Sequence, residues 1–273
     1  MSISFLLVLS AAVLGAIIGS FLNALSFRFN TGRRILALSG KDGRSRCMSC
    51  GHTLEALDLV PIFSFIFLRG RCRWCGSRIS WQYPLVEAVA ALLSVLVFLS
   101  VPGPISYGFW LLVWMTLLFI VIYDLKHTII PWSCSIFLAA LAIIFLLASQ
   151  VGHPMSIFGI WGLLAGPALA APLFLLSLVS GGRWMGWGDS ALELSLGWLL
   201  GFTAGLSALL LAFWSGALIG LGILFYQRLP WHKKVSVTMN MRSEMPFAPF
   251  LILGAALALF CHVDFFSQIY LLF

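Results

Sequence analysis

Long apolar runs set the limits on what this chain can fold into. Of its 273 residues, 61% are hydrophobic and 9% are charged, whereas a soluble domain carries roughly 25% charged residues. Apolar stretches of about 20 residues recur along the sequence, and each is long enough to cross the hydrocarbon core of a bilayer as a helix. The sequence therefore predicts an all-α polytopic membrane protein, with the lipid bilayer as a partner.

We predict eight transmembrane helices. The first covers 5–27, and we expect it to be retained because it lacks the basic n-region and small-residue cleavage site of a signal peptide. The run at 190–226 is about twice one crossing of roughly 20 residues, and Gly201, Thr203 and Gly205 mark its predicted turn. The other predicted spans are 85–101, 105–123, 133–150, 157–180 and 247–272.

The basic residues indicate the orientation of these spans. Ten of the sixteen Lys and Arg residues lie in the one extended polar segment, 28–83. If the chain has eight spans and this segment is cytosolic, all sixteen Lys and Arg residues lie on the cytosolic face, as the positive-inside rule requires. We therefore predict that both termini are periplasmic or extracellular and that the segment is cytosolic. This distribution accounts for the net charge of +7, and we expect no nucleic acid partner.

The polar segment contains two C-x-x-C knuckles, CMSC at 47–50 and CRWC at 72–75, separated by 21 residues. Such spacing suits tetrahedral zinc, and Gly51 and Gly76 directly after the knuckles permit their tight turns. A pair of disulfides is the alternative, which a reducing cytosol disfavours. Four thiolates leave no open position for water, so the zinc would be structural. Its predicted ligands are Cys47, Cys50, Cys72 and Cys75.

Two carboxylates stand at the cytosolic mouths of predicted spans. Asp124 ends the third span, and Asp189 follows Gly186-Trp187-Gly188 at the start of the sixth. A carboxylate at the membrane edge is a functional hypothesis by default. Two that share one proton can divide the work of hydrolysis, one as base on a water and the other as hydrogen-bond donor to a scissile carbonyl. Each aspartate alone also fits a helix cap, or for Asp124 a partner of Lys126; together they favour a catalytic pair.

Two further features have open interpretations. Glu193 lies one helical turn beyond Asp189, where it fits a residue that tunes that carboxylate, a ligand for a peptide amine, or a polar residue of the core. The apolar run 59–68 between the knuckles is too short to span. We expect it at the membrane interface, where Arg69 and Arg71 favour anionic headgroups.

The motifs together resemble the bacterial type IV prepilin peptidases, polytopic aspartic proteases of the GxGD class, nearly end to end. The resemblance implies that Asp124 and Asp189 cleave the leader from prepilins or pseudopilins at the cytosolic face of the bacterial inner membrane. It also implies N-methylation of the new amino terminus with S-adenosylmethionine. The matching pieces are Gly19-Ser20-Phe21-Leu22-Asn23, both knuckles, Arg69-Gly70-Arg71-Cys72, Tyr83-Pro84-Leu85-Val86-Glu87, Asp124 with Ile130-Pro131, Gly186 to Asp189, and Pro246-Phe247-Ala248-Pro249.

The resemblance also implies a division into a first helix at 1–27, a zinc loop at 28–83 associated with methyl transfer, and a peptidase domain of about seven helices at 84–273. Two positions depart from the family pattern. Ala191 stands where many relatives have Lys, and Trp132 stands where relatives often have Asp or Asn. Neither is a proposed catalytic carboxylate, so the departures bear on specificity. No G-x-G-x-x-G on a strand–helix unit is present, and the methyl-donor site stays unassigned.

Two other functions fit the same residues. A proton-coupled transporter would use Asp124 and Asp189 as an intramembrane relay, with the cysteine loop as a docking module. Internal repeats with broken helices would favour a transporter, and no clear repeat is present in the sequence. A catalytically inactive assembly subunit is the other alternative.

Overall fold

A computed structural model describes residues 5–29, 45–149, 157–228 and 246–266. Within these ranges the chain is helical, and the β-structure is limited to two isolated bridges in the cysteine loop. The predicted all-α fold is confirmed. A short 3-10 helix covers Ala56–Leu59, and the α-helices are α1 Phe5–Arg28, α2 Phe63–Phe67, α3 Gln82–Ser100, α4 Pro104–His127, α5 Trp132–Ser149, α6 Ile157–Ser180, α7 Trp187–Leu200, α8 Phe202–Arg228 and α9 Ala248–Phe260.

Helix length and apolar surface identify a multi-pass membrane protein. Five helices (α1, α3, α4, α6 and α8) are long and apolar enough to cross a bilayer, while α5 and α9 are shorter apolar helices. With α7, of 14 residues, these eight helices correspond in order to the eight predicted spans. Large apolar side chains point outward from them, such as Ile105, which is 88% exposed. Such a surface suits lipid rather than water.

The run at 190–226 divides at the predicted place. Gly201 ends α7 with a φ of 79°, and α8 begins at the next residue. The last span differs from its prediction of 247–272, because α9 ends at Phe260. Beyond it, the Asp264 carboxylate accepts hydrogen bonds from the Ser207 hydroxyl at 3.2 Å and the Phe266 N–H at 2.9 Å. Residues 267–273, like 30–44 of the predicted loop, lie outside the described residues.

The chain forms two compact units, Met1–Ile122 and Tyr123–Phe273. In the first, α1 and α3 pack through small residues. A Cβ atom at Gly19 would come within 2.7 Å of the Ala90 Cβ, and the Ser94 hydroxyl donates to the Ala11 carbonyl at 2.6 Å. Close approach of this kind is typical of helix pairs in membranes. The predicted boundaries at 27 and 83 stay a prediction.

In the second unit, α7 is the central helix and packs against α5, α6, α8 and α9. It approaches α6 closely, since a Cβ atom at Gly197 would come within 2.8 Å of the Gly166 Cα. The indole N–H of Trp198 also donates to the Leu163 carbonyl at 2.9 Å. This helix carries two carboxylates, Asp189 and Glu193, both buried. The centre of an otherwise apolar bundle is therefore acidic.

Candidate active site and cysteine centre

Asp124 lies in the last turn of α4, and only 4% of it is exposed. The helix ends through a hydrogen bond from the Thr128 N–H to the Asp124 carbonyl at 2.7 Å, the single-bond cap that goes with a left-handed residue. Thr128 has a φ of 51°, a conformation that β-branched residues seldom adopt. Helix α4 therefore ends about one helical turn after Asp124, and the chain then continues to α5.

Asp189 is the third residue of α7, and 8% of it is exposed. The Gly186 N–H, at the start of the helix, donates to its Oδ2 at 3.1 Å. The sequence suggested Asp189 as an N-cap residue, but the N-cap is Gly186, and Asp189 caps the helix from the third helical position. The preceding loop is held by the Ser177 hydroxyl, which donates to the Met185 carbonyl at 3.0 Å. A carboxylate in this position is stabilised by the positive end of the helix dipole.

The structure brings the two aspartates together. Gly188 packs against Ile130, such that a Cβ atom at position 188 would come within 2.8 Å of the Ile130 Cβ. This contact joins the start of α7 to the segment that follows α4. The carboxylates of Asp124 and Asp189 are close enough to interact electrostatically. Two acidic groups within electrostatic reach in a buried site favour sharing one proton over ionising together.

The carboxylate of Asp124 has a hydrogen-bond partner that the sequence does not predict. The backbone N–H of Ala248 donates a hydrogen bond to it, from the first residue of α9. The free N–H groups of a helix start are natural donors to an anion. Each aspartate therefore accepts one backbone N–H from the beginning of a helix. Proline near the start of α9, within the motif at 246–249, was the available sequence signal for this helix start.

The four predicted cysteine ligands also meet. Their Sγ atoms all lie within 4.8 Å of one another, and all six cysteines of the chain are free thiols. Zinc–sulfur bonds of about 2.3 Å place two sulfurs of a tetrahedron about 3.8 Å apart. The Sγ atoms of Cys47 and Cys75 are 3.8 Å apart. The donor set and its spacing therefore fit a four-thiolate zinc site.

The two knuckles repeat the same backbone geometry. The Gly51 N–H donates to the Cys47 carbonyl, and the Gly76 N–H donates to the Cys72 carbonyl, both at 2.9 Å. The two glycines have φ values of 70° and 71°, so the tight turns predicted at these positions are confirmed. Each turn aims backbone N–H groups at the sulfurs.

These donors favour the thiolate form that a metal needs. Hydrogen bonds from the backbone N–H groups of Cys50 and Ser49 lower the pKa of the Cys47 thiol to about 6. The Ser77 hydroxyl, whose Oγ lies 3.1 Å from the Cys75 Sγ, lowers the pKa of the Cys75 thiol. Despite a hydrogen bond from the His52 N–H, desolvation and the neighbouring Cys47 and Cys75 raise the pKa of the Cys50 thiol to about 11. Metal binding at neutral pH therefore displaces a proton from Cys50 and few from Cys47.

Fold and site define a class of protein: a polytopic membrane protein with a buried aspartate pair and a separate four-cysteine centre. Comparison with protein families narrows this class. The Bacterial Peptidase A24 N-terminal domain matches residues 13–101, and the Type IV leader peptidase family matches residues 109–221. The chain belongs to the type IV leader peptidase family, as its motifs indicated.

Several curated relatives share the name Prepilin leader peptidase/N-methyltransferase. The protein of Aeromonas salmonicida is 33% identical, over 79% of this chain and 70% of its own length. The protein of Bacillus subtilis is 32% identical, over 90% of this chain and 91% of its own length. The protein of Dichelobacter nodosus is 31% identical, over 77% of this chain and 68% of its own length. No solved structure matches the chain. None of this supports the transporter alternative.

Proposed function

We propose that this chain is an inner-membrane aspartic endopeptidase that removes the leader of prepilins or pseudopilins at the cytosolic membrane face. It also N-methylates the new amino terminus, with S-adenosylmethionine as methyl donor. Membership of the leader peptidase family and the names of the relatives support both activities. The main structural support for the peptidase activity is a pair of buried carboxylates, Asp124 and Asp189, which are close enough to interact electrostatically.

The pair performs hydrolysis by sharing one proton. The ionised carboxylate takes a proton from water as the water oxygen attacks the scissile carbonyl, and the protonated one donates to the carbonyl oxygen. When the C–N bond of the tetrahedral intermediate breaks, the proton taken from water passes to the leaving amine. The proton given to the carbonyl oxygen returns to its carboxylate, so the pair again holds one proton. The helix-start N–H groups of Gly186 and Ala248 hold the two carboxylates in place throughout. This positioning keeps the reacting groups oriented.

The cysteine centre is proposed to hold structural zinc through Cys47, Cys50, Cys72 and Cys75. Bound zinc joins two knuckles that lie far apart in the sequence. A loop of this size has little apolar core, and metal binding commonly compensates for that. Four thiolates leave no coordination position open for water or substrate. The metal therefore stabilises the loop and takes no part in peptide hydrolysis.

Methyl transfer places different demands on the protein. A neutral amine need only be aligned with the sulfonium methyl group, which is a positioning task. Among the described residues there is no β-sheet that could build a dinucleotide-type fold. This activity therefore rests on the family, and we assign it no residues.

Co-expression with a prepilin tests the proposed function. Mass spectrometry of the prepilin amino terminus reports cleavage and methylation together. We expect a shortened, N-methylated product with the wild-type chain and the full-length prepilin with the Asp124→Asn, Asp189→Asn double variant. A transporter or an inactive assembly subunit would leave the prepilin at full length in both cases.

A further inference from the structure

Glu193 is a buried carboxylate that the proposed mechanism does not use. It is 1% exposed, less than either Asp124 or Asp189. It lies on α7, which is surrounded by α5, α6, α8 and α9. Its Oε1 has no hydrogen-bond partner among the described residues. Burial of a polar atom without a partner is costly, so such an atom calls for a ligand that the protein itself does not supply.

A second unpartnered polar atom lies on the same face of α7. The Ser190 hydroxyl is buried and has no hydrogen-bond partner within the part of the chain that is described. It stands three residues before Glu193, so the two side chains are neighbours on the helix. By contrast, the Ser195 hydroxyl donates to the Ala191 carbonyl of its own helix at 3.2 Å. Ser190 and Glu193 thus form one polar patch, which begins beside Asp189.

The described side chains of the surrounding helices include no basic residue that could pair with Glu193. The sequences of α6 and α9 contain no titratable residue. Helix α5 carries Cys134 in its first turn, and α8 carries Tyr226 and Arg228 at its end. An uncharged carboxylic acid is therefore the form that burial favours. Such an acid has one O–H to donate and further lone pairs to accept, as has the serine hydroxyl. Water can satisfy all of them.

We infer that Ser190 and Glu193 form a buried water-binding site one turn beyond Asp189, and that Glu193 is a positioning residue for the catalytic pair. Residues four apart on a helix are neighbours, so a water held by Glu193 is within reach of the Asp189 carboxylate. Hydrolysis consumes a water in an apolar bundle, and this site keeps one ordered beside the pair. The second part of the inference rests on the proposed peptidase function.

Kinetics of the full-length protein in lipid nanodiscs test the positioning role. Glu193→Leu removes the polar group, and we expect kcat for prepilin cleavage to fall about tenfold or more, with KM within about twofold. Glu193→Gln keeps hydrogen bonding without an ionisable group and should recover most of that loss. Ser195→Ala is the matched control, since its hydroxyl is already satisfied by its own helix. Thermal unfolding of each variant separates a folding defect from a kinetic one.

Two kinetic results would overturn this role. A Glu193→Leu variant with wild-type kcat would make Glu193 a plain core residue. A Glu193→Gln variant as inactive as Asp189→Asn would mean that the carboxyl group itself carries the chemistry. If Glu193→Leu fails to fold, Glu193→Met replaces it, because Met also removes the polar group while keeping an unbranched side chain of similar length. Wild-type kcat in that variant would equally make Glu193 a plain core residue.

Infrared difference spectroscopy tests the water site without any substrate. The wild-type minus Glu193→Gln spectrum should contain the carbonyl band of a protonated carboxylic acid, and the band should shift in D₂O because the acid exchanges with bound water. A missing band, or one insensitive to D₂O, would refute the site. A protein with this band that fails to cleave prepilin would refute the peptidase proposal and leave the water site standing.

Discussion

Gly188 lies so close to Ile130 that a Cβ atom on the glycine would come within 2.8 Å of the isoleucine Cβ. Gly188 immediately precedes Asp189, and Ile130 follows the turn that ends the helix of Asp124. The spacing of the two carboxylates therefore depends on the missing side chain at position 188. Packed interiors resist the insertion of even small groups, so this contact limits what the site tolerates.

Gly188→Val should reduce prepilin cleavage by roughly a hundredfold, because a small displacement of a catalytic group has effects of that size. The membrane fold should survive, with overpacking costing about 1–3 kcal/mol of the free energy of unfolding. Gly222→Val is the matched control, since a Cβ atom at that helical position meets nothing within 4 Å. Cleavage at the wild-type rate by Gly188→Val would contradict the account of this contact.

Metal analysis of the purified protein should find about one zinc per chain, as a four-thiolate site requires. Cys72→Ser should abolish zinc binding, because its sulfur is one of the four that cluster. Cys261→Ser should keep the zinc, because Cys261 lies outside the cluster and is exposed at the end of α9. Disulfides joining the knuckle cysteines in freshly isolated protein would refute the zinc site.

Reporter fusions after residues 80 and 236 should both report a cytosolic location. This expectation follows from the placement of all sixteen Lys and Arg on one face. Residue 236 lies outside the described residues, so its location stays a prediction from charge and helix parity. A periplasmic signal at either fusion would break the eight-span topology.

Asp124→Asn and Asp189→Asn should each retain methylation of a peptide supplied without its leader. Methyl transfer needs a positioned neutral amine and no shared proton, whereas hydrolysis needs the carboxylate pair. Mass spectrometry of the peptide, with zinc content as a control for folding, measures this directly. Loss of methylation in both folded variants would mean that one site performs both reactions.

Much of this architecture could be predicted from sequence, because membrane helices are specified by local properties. Apolar run length locates the helices, and Gly201 marks the division between α7 and α8. The cysteine knuckles are equally local, since each C-x-x-C-G stretch folds on itself before the pairs meet. The last helix was the exception. Hydropathy predicted that this helix continues past Phe260, where it in fact ends. Hydropathy does not register the hydrogen bonds that Asp264 accepts from Ser207 and Phe266 beyond the helix end.

Contacts between distant segments could not be predicted in this way. The hydrogen bond from Ala248 to Asp124 and the packing of Gly188 on Ile130 depend on how the helices of the second unit assemble. The Glu193 Oε1 lacks a hydrogen-bond partner among the described residues as a result of the same packing. These contacts join residues that lie far apart in the sequence, so the residue types alone do not predict them. The candidate site residues could be identified from the sequence, but the residues that contact them could be identified only from the fold.

The most direct test measures prepilin cleavage by Asp124→Asn and Asp189→Asn, each purified at full length and reconstituted in lipid. Asparagine preserves the shape of the side chain but can neither carry the charge nor shuttle the proton. We predict that both variants retain the membrane fold and their zinc and yield no shortened prepilin, while the wild-type chain cleaves it. Substantial cleavage by either variant would remove that aspartate from the mechanism and contradict the paired-carboxylate account.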